Sequence, residues 1–531
     1  MTDARQRLDH MISEARRGRM NRREFIGRST ALGLSAGTAA ALFGHAALAQ
    51  EPKKGGTLRA GISGGESTNS LDPGLALSPV PYVANSQWGE TMVSMTPDGQ
   101  VDMRLVDDIS ASADSKVWTF RVRQGVTFSN GAPVTAEDIV ATFKRHTDEA
   151  AQSGALGVVK GITEMKAEGD KVELTLDSGS ADLPVLLTDY HLVIQPGGGF
   201  DNPNAGIGAG PYILDTFEPG VRYTMKRNPN YFDSSIAHAD EIEILAINDN
   251  TARTAALQAG QVHMINRVDP KIFELLQGAP GIQVRRVPGR GHYIFIMHCD
   301  KAPFDNNDLR MALKYGVNRQ EMVDKILGGL GSLGNDFPIN AAYPLFDDSF
   351  PQREYDAAKA KEYYEKSGHD GSPIILRTAP GAFPGAVDAA NLFAASANAA
   401  GIPLQVQLEP DDGYWSNVWN VEPFCASYWG GRPVQDQMYS TAYLSTAEWN
   451  DTRFKNAKFD EVLIAARAEL DQTKRKAQYS EMAAMVRDEG GLILPMFNDY
   501  VAGVSDKVGG WFDDPNGEMM SGRALSQCWL V

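Results

Sequence analysis

Cysteine is scarce in this chain, with three residues among 531. Cys299, Cys425 and Cys528 lie far apart and form no Cys-x-x-Cys pair, which argues against a zinc site built on cysteine. An exported protein could join two of them in a disulfide, and the sequence does not say which two. The nine histidines form neither His-Glu-x-x-His nor His-x-His. We therefore expect no metal site.

Basic residues are also fewer than acidic ones. Lys and Arg number 50 against 67 Asp and Glu, and the formal net charge is −17. Nucleic acids and anionic membrane surfaces bind proteins through basic patches, so this charge argues against both as partners. After residue 49, no apolar run is long enough to span a bilayer. The mature chain is expected to be soluble.

The N-terminal segment has the pattern of an export signal. Its beginning is rich in arginine, and residues 29–49 are apolar and small, ending in Ala-Leu-Ala. Arg22 and Arg23 precede the apolar run, as in a twin-arginine signal. We predict a signal peptide over residues 1–49, cleavage after Ala49 and a periplasmic mature protein. A membrane anchor is the alternative, which the glycines and alanines of the segment disfavour.

The length of the chain predicts two or three lobes, because single hydrophobic cores stop growing at about 250–300 residues. Gly/Pro-rich segments at residues 196–211 and 288–291 mark candidate boundaries. The longest helical pattern, over residues 459–488, indicates two helices. Strand and helix patterns are mixed along the chain, which predicts an α/β protein.

Two local patterns illustrate that mixture. Trp118, Phe120 and Val122 alternate with polar residues, as in a half-buried strand. Thr135, followed three residues later by Asp138, predicts the capped start of a helix.

Two short segments match enzyme motifs, but the sequence around each argues against the corresponding enzyme site. Gly329, Gly331 and Gly334 fit a dinucleotide-binding fingerprint but follow a helical pattern, whereas the fingerprint must follow a strand. Residues 61–65, Gly-Ile-Ser-Gly-Gly, fit a nucleophile elbow, but no helical pattern follows them. We find no catalytic constellation and expect a protein that is not an enzyme and holds no cofactor.

Residues 427–438, Ser-Tyr-Trp-Gly-Gly-Arg-Pro-Val-Gln-Asp-Gln-Met, combine several features of a ligand site. Tyr428 and Trp429 offer flat apolar walls, and Gly431 lets backbone approach a guest closely. Arg432 offers a planar fork that can bind a carboxylate through two hydrogen bonds. The alternative interpretation is a surface turn after a strand.

Segments along nearly the whole mature chain match one family pattern in order. They are residues 55–58 (Gly-Gly-Thr-Leu), 71–73 (Leu-Asp-Pro), 118–128 (Trp-Thr-Phe-Arg-Val-Arg-Gln-Gly-Val-Thr-Phe), 130–131 (Asn-Gly), 135–140 (Thr-Ala-Glu-Asp-Ile-Val), 208–212 (Gly-Ala-Gly-Pro-Tyr), 227–231 (Arg-Asn-Pro-Asn-Tyr), 309–313 (Leu-Arg-Met-Ala-Leu), 318–319 (Asn-Arg), 459–460 (Phe-Asp) and 488–490 (Asp-Glu-Gly). Each is weak alone. Together they resemble the periplasmic solute-binding proteins of ABC importers, of the oligopeptide/dipeptide-binding (family 5) type.

The resemblance implies a two-lobed α/β fold, the type II (cluster C) periplasmic-binding-protein fold with an extra domain. Lobe I would be discontinuous, built from residues 50–90, 206–290 and 495–531. The extra domain would comprise residues 91–205 and lobe II residues 291–494. Strands around 291–297 and 494–498 would cross between the lobes and absorb the dihedral change of closure.

The resemblance also implies a ligand cleft around Arg432. In peptide-binding members an Asp after a Trp-x-x step receives the ligand's ammonium, and this sequence places Arg432 there, after Trp429. A cation at that position favours a carboxylate instead. Tyr428 and Trp429 are expected as walls, with core packing as their alternative. Asp436 is expected either to contact the ligand or to hold Arg432.

Other expected cleft residues rest on position alone. Tyr293, Phe295 and His298 belong to a crossing strand, and Ser78 and Val80 to a loop that matches a cleft loop of the family. Trp415 and Trp419, at helical spacing, are expected to pack in the core.

The expected function is the periplasmic substrate-binding component of an ABC importer. It would capture a short peptide or an amino-acid conjugate such as an opine, bearing a carboxylate, and deliver it to the permease as a monomer. A periplasmic chaperone or sensor with the same fold is one alternative, and an enzyme exported by the twin-arginine route is another.

Overall fold

The computed structural model describes residues 11, 27–30, 52–469 and 471–531. The predicted signal peptide lies outside these residues except for positions 11 and 27–30. None of the helices in the described ranges is long and apolar enough to cross a membrane.

Strands and helices are interspersed along the described residues. The strands are β1 (Thr57–Ile62), β2 (Val93–Met95), β3 (Val101–Met103), β4 (Val106–Ala111), β5 (Val117–Val122), β6 (Ile162–Glu168), β7 (Lys171–Leu176), β8 (Tyr212–Glu218), β9 (Arg222–Arg227), β10 (Glu241–Ala246), β11 (Met264–Ile265), β12 (Ile282–Val287), β13 (His292–Met297), β14 (Gly331–Leu333), β15 (Ile374–Thr378), β16 (Leu404–Leu408), β17 (Phe424–Trp429), β18 (Leu492–Asn498), β19 (Tyr500–Ser505), β20 (Val508–Gly509) and β21 (Trp529–Leu530). The helices are α1 (Pro79–Trp88), α2 (Ala136–Thr147), α3 (Leu156–Val159), α4 (Leu183–Leu186), α5 (Asn250–Gln258), α6 (Phe273–Gln277), α7 (Asn307–Tyr315), α8 (Arg319–Lys325), α9 (Ala357–Ser367), α10 (Ala386–Ala399), α11 (Tyr414–Asn417), α12 (Gln435–Ala442), α13 (Ala457–Ala468), α14 (Gln472–Glu489) and α15 (Ala524–Gln527).

Sheet I has seven strands in the order β12-β19-β11-β1-β10-β9-β8. β1 runs parallel to β10 and β11, and the other pairs are antiparallel. Leu58, Ala60 and Ile62 of β1 are fully buried in its core. Three separate parts of the chain build this sheet, and α1 and α5 pack on it.

Sheet II has six strands in the order β14-β18-β13-β17-β15-β16. Its central strands β13, β17 and β18 are almost entirely buried. They read as continuous apolar runs, which is typical of strands covered on both faces. These strands and the surrounding helices form the largest apolar core of the described residues.

Sheet III has four strands in the order β4-β5-β7-β6 and packs against α2. The predicted alternation of Trp118, Phe120 and Val122 is confirmed, since all three are buried on β5. The predicted helix start is also confirmed. The Thr135 hydroxyl accepts the Asp138 N–H at 3.2 Å, and the Asp138 carboxylate accepts the Thr135 N–H at 3.0 Å.

The chain passes between sheets I and II at two short connections. Residues 288–291 join β12 to β13, and Asp499 joins β18 to β19. β13 and β18 themselves lie wholly in sheet II, where they pair with each other. The chain therefore changes sheets next to the two strands that were expected to cross between the lobes. The end of lobe II, expected at residue 494, falls inside β18. Ladder hydrogen bonds hold these strands in sheet II, so the change of sheet is left to the connections.

A candidate ligand-binding site

A cavity of about 170 Å³ is lined by β17 of sheet II and by α1, which packs on sheet I. Its lining residues fall within residues 77–95, 188–193, 415–437 and 516–523, together with Arg267 and Trp449. One water needs about 10–15 Å³ of such space, so the cavity suits a guest with on the order of a dozen non-hydrogen atoms.

Arg432 enters this cavity from the loop after β17 and has 7 % of its surface exposed. Its backbone N–H donates to the Tyr343 hydroxyl at 3.0 Å, and its Nη1 donates to the Gly431 carbonyl at 2.8 Å. Nε and Nη2 have no hydrogen-bond partner among the described residues. These two nitrogens share one edge of the planar guanidinium, the edge that binds a carboxylate through two parallel hydrogen bonds.

Gly431 fixes the position of Arg432. Its φ is +79°, and a Cβ there would lie 2.5 Å from the Arg290 Cβ and 2.8 Å from the Arg290 carbonyl oxygen. Glycine alone adopts this turn without strain or collision.

Asp189 compensates part of the charge of Arg432. Its Oδ2 lies 3.8 Å from Nε of Arg432, beyond hydrogen-bond distance, and accepts Nε2–H of Gln437 at 3.3 Å. Its Oδ1 accepts the His191 backbone N–H at 3.0 Å and lies 2.5 Å from Nδ1 of the His191 ring. Burial raises the pKa of Asp189, but His191 and Arg432 outweigh it and lower that pKa to about 2. Asp189 is therefore ionised at neutral pH.

Four tryptophans, Trp415, Trp419, Trp429 and Trp449, form one wall of the cavity. Their ring centroids lie 5.6 Å (Trp419–Trp449), 5.9 Å (Trp429–Trp449), 6.2 Å (Trp415–Trp419) and 6.5 Å (Trp419–Trp429) apart, at steep interplanar angles. Such edge-to-face packing is favourable for aromatic rings. The wall presents a large apolar surface to a guest.

Asp451 lies buried behind this wall. Its Oδ2 accepts Nε1–H of Trp419 at 3.0 Å and Nε1–H of Trp429 at 3.1 Å. Burial raises the pKa of Asp451 to about 7, although both indoles lower it. Because the two indole N–H groups are bound to Asp451, neither is free to donate to a guest.

Arg267 connects the two sides of the cavity. Its guanidinium carbon lies 3.8 Å from the centroid of the Tyr428 ring, a cation–π contact. Its Nε donates to both carboxylate oxygens of Glu518, at 2.8 and 3.0 Å. Glu518 begins a left-handed turn in which Met519 and Met520 have φ of 53° and 56°, a conformation that costs about 1–2 kcal/mol per L-residue. The ion pair helps to hold this turn at the cavity edge.

Glu90 is the third carboxylate of the lining, and cations surround it. Nη2 of Arg523 donates to Oε1 at 2.8 Å, while Nη2 of Arg104 and the Tyr231 hydroxyl donate to Oε2 at 3.3 and 2.6 Å. Burial raises the pKa of Glu90, but Arg523 and Arg104 outweigh it and lower that pKa to about 2. Its charge is already matched within the protein.

Sequence reasoning missed the charged lining residues Asp189, Glu90, Arg267 and Glu518, and also the neutral residues Asn85 and Gln437. Asn85 of α1 is 1 % exposed, and neither its Oδ1 nor its Nδ2 has a partner among the described residues. Oε1 of Gln437 is likewise without a partner there. A sequence signal for Asn85 is its helical spacing from Ser78 and Tyr82, which also line the cavity.

Five of the predicted site residues line the cavity: Ser78, Tyr428, Trp429, Gly431 and Arg432. Ser78 precedes α1 and donates its hydroxyl to the Gly64 carbonyl at 2.5 Å. Trp415 and Trp419, expected in the core, are buried there and also contribute to the cavity wall.

Asp436 does not reach the cavity and does not hold Arg432. It is fully buried and accepts Nε–H and Nη2–H of Arg467, each at 2.9 Å, and the Ser440 hydroxyl at 2.7 Å. Successive residues of a helix point about 100° apart, so Gln437 of α12 faces the cavity where Asp436 cannot.

The remaining four predicted residues also lie away from the cavity. Tyr293 stacks on Phe383 at 4.4 Å, and Phe295 packs on the same ring, because alternate residues of β13 point to one face. Tyr293 lines a smaller cavity of about 40 Å³ instead. His298 is buried, and burial lowers its pKa to about 4. Val80 points into the core of sheet I.

All three cysteines are free thiols. No group of three or more His, Cys, Asp or Glu side chains in the described ranges is arranged to hold a metal ion.

Comparison with known proteins decides the family. The model of bacterial extracellular solute-binding proteins, family 5, matches residues 78–451, well over half of the chain. The chain belongs to this family. The resemblance drawn from the sequence motifs is thereby confirmed, together with the two-lobed α/β fold, and the relatives are binding proteins.

Two solved structures and one sequence relative illustrate the match. The oligopeptide-binding protein OppA of Bacillus subtilis is 25 % identical over 468 residues, 79 % of this chain and 84 % of OppA. AgaA from A. tumefaciens R10, bound to agropinic acid, superposes with a TM-score of 0.81 at 23 % identity and covers 90 % of this chain and 99 % of its own. DppA from Helicobacter pylori, bound to the peptide STSA, gives a TM-score of 0.81 at 20 % identity, with the same coverage. These likenesses establish the fold of a family 5 solute-binding protein.

Proposed function

We propose that this family 5 protein is the periplasmic receptor of an ABC importer and captures a small carboxylate-bearing solute in the cavity described above. One observation carries the proposal. The buried guanidinium of Arg432 lines the cavity, and its Nε–Nη2 edge has no hydrogen-bond partner among the described residues, since Oδ2 of Asp189 stays 3.8 Å from Nε. An anion at that edge would complete two charge-assisted hydrogen bonds.

The surroundings of Arg432 support a small guest with an apolar body. The cavity volume suits on the order of a dozen non-hydrogen atoms, and the four-tryptophan wall offers apolar contact. OppA, AgaA and DppA are described as binding an oligopeptide, agropinic acid and a peptide. A short peptide or an opine-like conjugate belongs to the kinds of ligand that these three proteins bind.

Closure of two lobes would trap the solute. Lobe I would contain sheet I, lobe II sheet II, and the extra domain sheet III. Asn85 lies on α1, which packs on sheet I, and Arg432 follows β17 of sheet II. A guest that contacts both residues does so only when the lobes are together, so its binding favours the closed form. Residues 288–291 and Asp499 are the hinge candidates.

Mass spectrometry of solutes released from the freshly purified protein tests the function, followed by X-ray scattering with the identified solute. We expect an acidic small molecule and a smaller radius of gyration once it is added. A radius that stays unchanged when the released solute is added would contradict lobe closure, and a bound solute without an anionic group would contradict the carboxylate receptor.

Export tests the proposed location. Arg22→Lys with Arg23→Lys should leave the precursor in the cytoplasm, because paired arginines identify the twin-arginine signal. The matched control, Arg16→Lys with Arg17→Lys, changes a basic pair upstream of that motif and should be exported and cleaved normally. Normal export of both variants would exclude the twin-arginine route.

A further inference from the structure

The cavity carries three carboxylates, and each already accepts hydrogen bonds from the protein. Glu518 accepts from Arg267, Glu90 from Arg523, and Asp189 from the His191 backbone and the Gln437 side chain. None of these acids is an unpaired acceptor for a positive group of a guest. A ligand ammonium would enter a site that also contains the free edge of Arg432, and burying a charge without a counter-charge is unfavourable.

The cavity atoms of Asn85 and Gln437 that lack hydrogen-bond partners favour a guest with a neutral polar group over one with an ammonium. Asn85 offers one neutral donor, Nδ2, and one neutral acceptor, Oδ1, while Gln437 offers the acceptor Oε1. Both side chains are about 1 % exposed and line the cavity. A secondary amide has the matching set, a carbonyl oxygen that accepts and an N–H that donates.

The tryptophan wall offers the guest no further hydrogen-bond donor from Trp419 or Trp429. The indole N–H groups of Trp419 and Trp429 are bound to Asp451 behind the wall. These rings therefore meet the guest with apolar surface, which suits a hydrocarbon or aromatic side chain.

We propose that the ligand is a carboxylate whose neighbouring nitrogen is acylated, as in an N-acyl amino acid or a lactam acid, and not a free amino acid or a peptide with a free α-ammonium. The carboxylate binds Arg432, the amide binds Asn85, and the side chain packs on the tryptophan wall. This inference rests on the proposed function, since it specifies the solute class of the same cavity.

The test compares two pools of probes in one equilibrium-dialysis experiment. One pool contains the free amino acids, and the other contains their N-acetyl derivatives at equal concentrations. Retained molecules are quantified by mass spectrometry for the full-length mature protein, after prior removal of bound solute by unfolding and refolding. We expect N-acetyl compounds with apolar side chains to be retained at least tenfold more strongly than their free counterparts.

Two variants of Asn85 test its role. Asn85→Leu, which keeps the branched four-atom side chain without its polar atoms, should lower retention of the N-acetyl compounds about tenfold or more. Asn85→Asp places a carboxylate where the amide is expected and should reverse the preference toward free amino acids. Circular dichroism confirms that each variant is folded, and the reversal keeps the test informative if only one of them folds.

The outcomes separate this inference from the proposed function. Preference of the wild type for free amino acids, equal retention of the two pools, or dissociation constants above about 1 mM for every N-acetyl compound would overturn the inference. If free amino acids are retained and Arg432→Gln abolishes their retention, the carboxylate receptor stands and only the acylated class is wrong. If retention is the same in wild type and Arg432→Gln, the proposed function itself fails at this site.

Discussion

Replacing Arg432 with glutamine removes the charge at the free guanidinium edge and keeps a polar side chain. Because neither Nε nor Nη2 has a hydrogen-bond partner among the described residues, a bound carboxylate would gain two charge-assisted hydrogen bonds there. A hydrogen bond to a charged group contributes about 1.5–3 kcal/mol, and about 1.4 kcal/mol corresponds to tenfold in affinity. Loss of one contact therefore weakens binding roughly 10- to 150-fold, and loss of both weakens it further.

The effect on stability distinguishes a ligand-binding arginine from a structural one. Arg432 and Arg467 are similarly buried, at 7 % and 8 % exposed, but Arg467 donates twice to Asp436. Arg467→Gln leaves Asp436 buried with an unpaired charge and should lower the free energy of unfolding by about 3–5 kcal/mol. Arg432→Gln gives up the bond from Nη1 to the Gly431 carbonyl and the longer contact between Nε and Asp189. Because His191 and Gln437 continue to donate to Asp189, this change should lower the unfolding free energy of the ligand-free protein clearly less than Arg467→Gln does.

Isothermal titration calorimetry with the identified solute measures the affinity, and urea unfolding of the ligand-free protein measures the stability. Arg121→Gln is the control, since Arg121 forms an exposed ion pair with Asp107 on sheet III, and it should change neither quantity appreciably. An affinity of Arg432→Gln within about twofold of the wild type would refute the carboxylate contact. A stability loss as large as that of Arg467→Gln would show that Arg432 is structural.

Three further changes test neighbouring parts of the site. Gly431→Ala should lower the free energy of unfolding by at least about 1 kcal/mol, because of the φ of +79° and the collision with Arg290. Gly430→Ala, whose Cβ would meet nothing within 4 Å, should leave unfolding in urea unchanged. Equal effects of the two changes would contradict the requirement for glycine at position 431. The folded protein retains the Asp451 proton up to about pH 7, while the unfolded chain loses it near its ordinary pKa of 3.8, so this group lowers the free energy of unfolding as pH rises from about 4 to 7, by about 1.4 kcal/mol per pKa unit. Asp451→Asn should lack that part of the pH dependence in urea titrations, and an unaltered pH profile would refute it. Trp429→Phe should reduce the change in tryptophan fluorescence on ligand binding, because Trp429 lines the cavity, while Trp118→Phe on sheet III should not; the reverse result would place the ligand elsewhere.

Local patterns along the chain predict much of the fold. Thr135 and Asp138 form the predicted capping box, and the two helices predicted within residues 459–488 are α13 and α14, which together extend from residue 457 to residue 489. Each of these signals depends on residues within a few positions of one another. The crossings between the sheets were displaced from prediction by a few residues, because strand pairing in sheet II decides where the apolar runs end.

The site was predictable only in part, since the cavity joins segments hundreds of residues apart. Arg432, Trp429 and Tyr428 belong to one short stretch whose composition indicates a ligand. Asp189 and Asn85 are brought to that stretch by the tertiary fold, which local sequence patterns do not reveal. Asp436 shows the limit of reasoning from composition. Its neighbour on α12, Gln437, faces the cavity, whereas Asp436 is buried in an ion pair with Arg467.

The placement of the unpartnered atoms supplies a physical reason for ligand-controlled closure. Arg432 reaches the cavity from sheet II, and Asn85 reaches it from the side of sheet I. With the lobes apart, bulk water solvates both groups. With the lobes together and no solute, water held in the cavity must satisfy them, at an ordering cost of up to about 2 kcal/mol for each molecule. The proposed solute, with a carboxylate and an amide, would replace that water and contact both groups at once, and its higher affinity for the closed form would shift the equilibrium. The polar atoms proposed to select the solute would therefore also make closure depend on it.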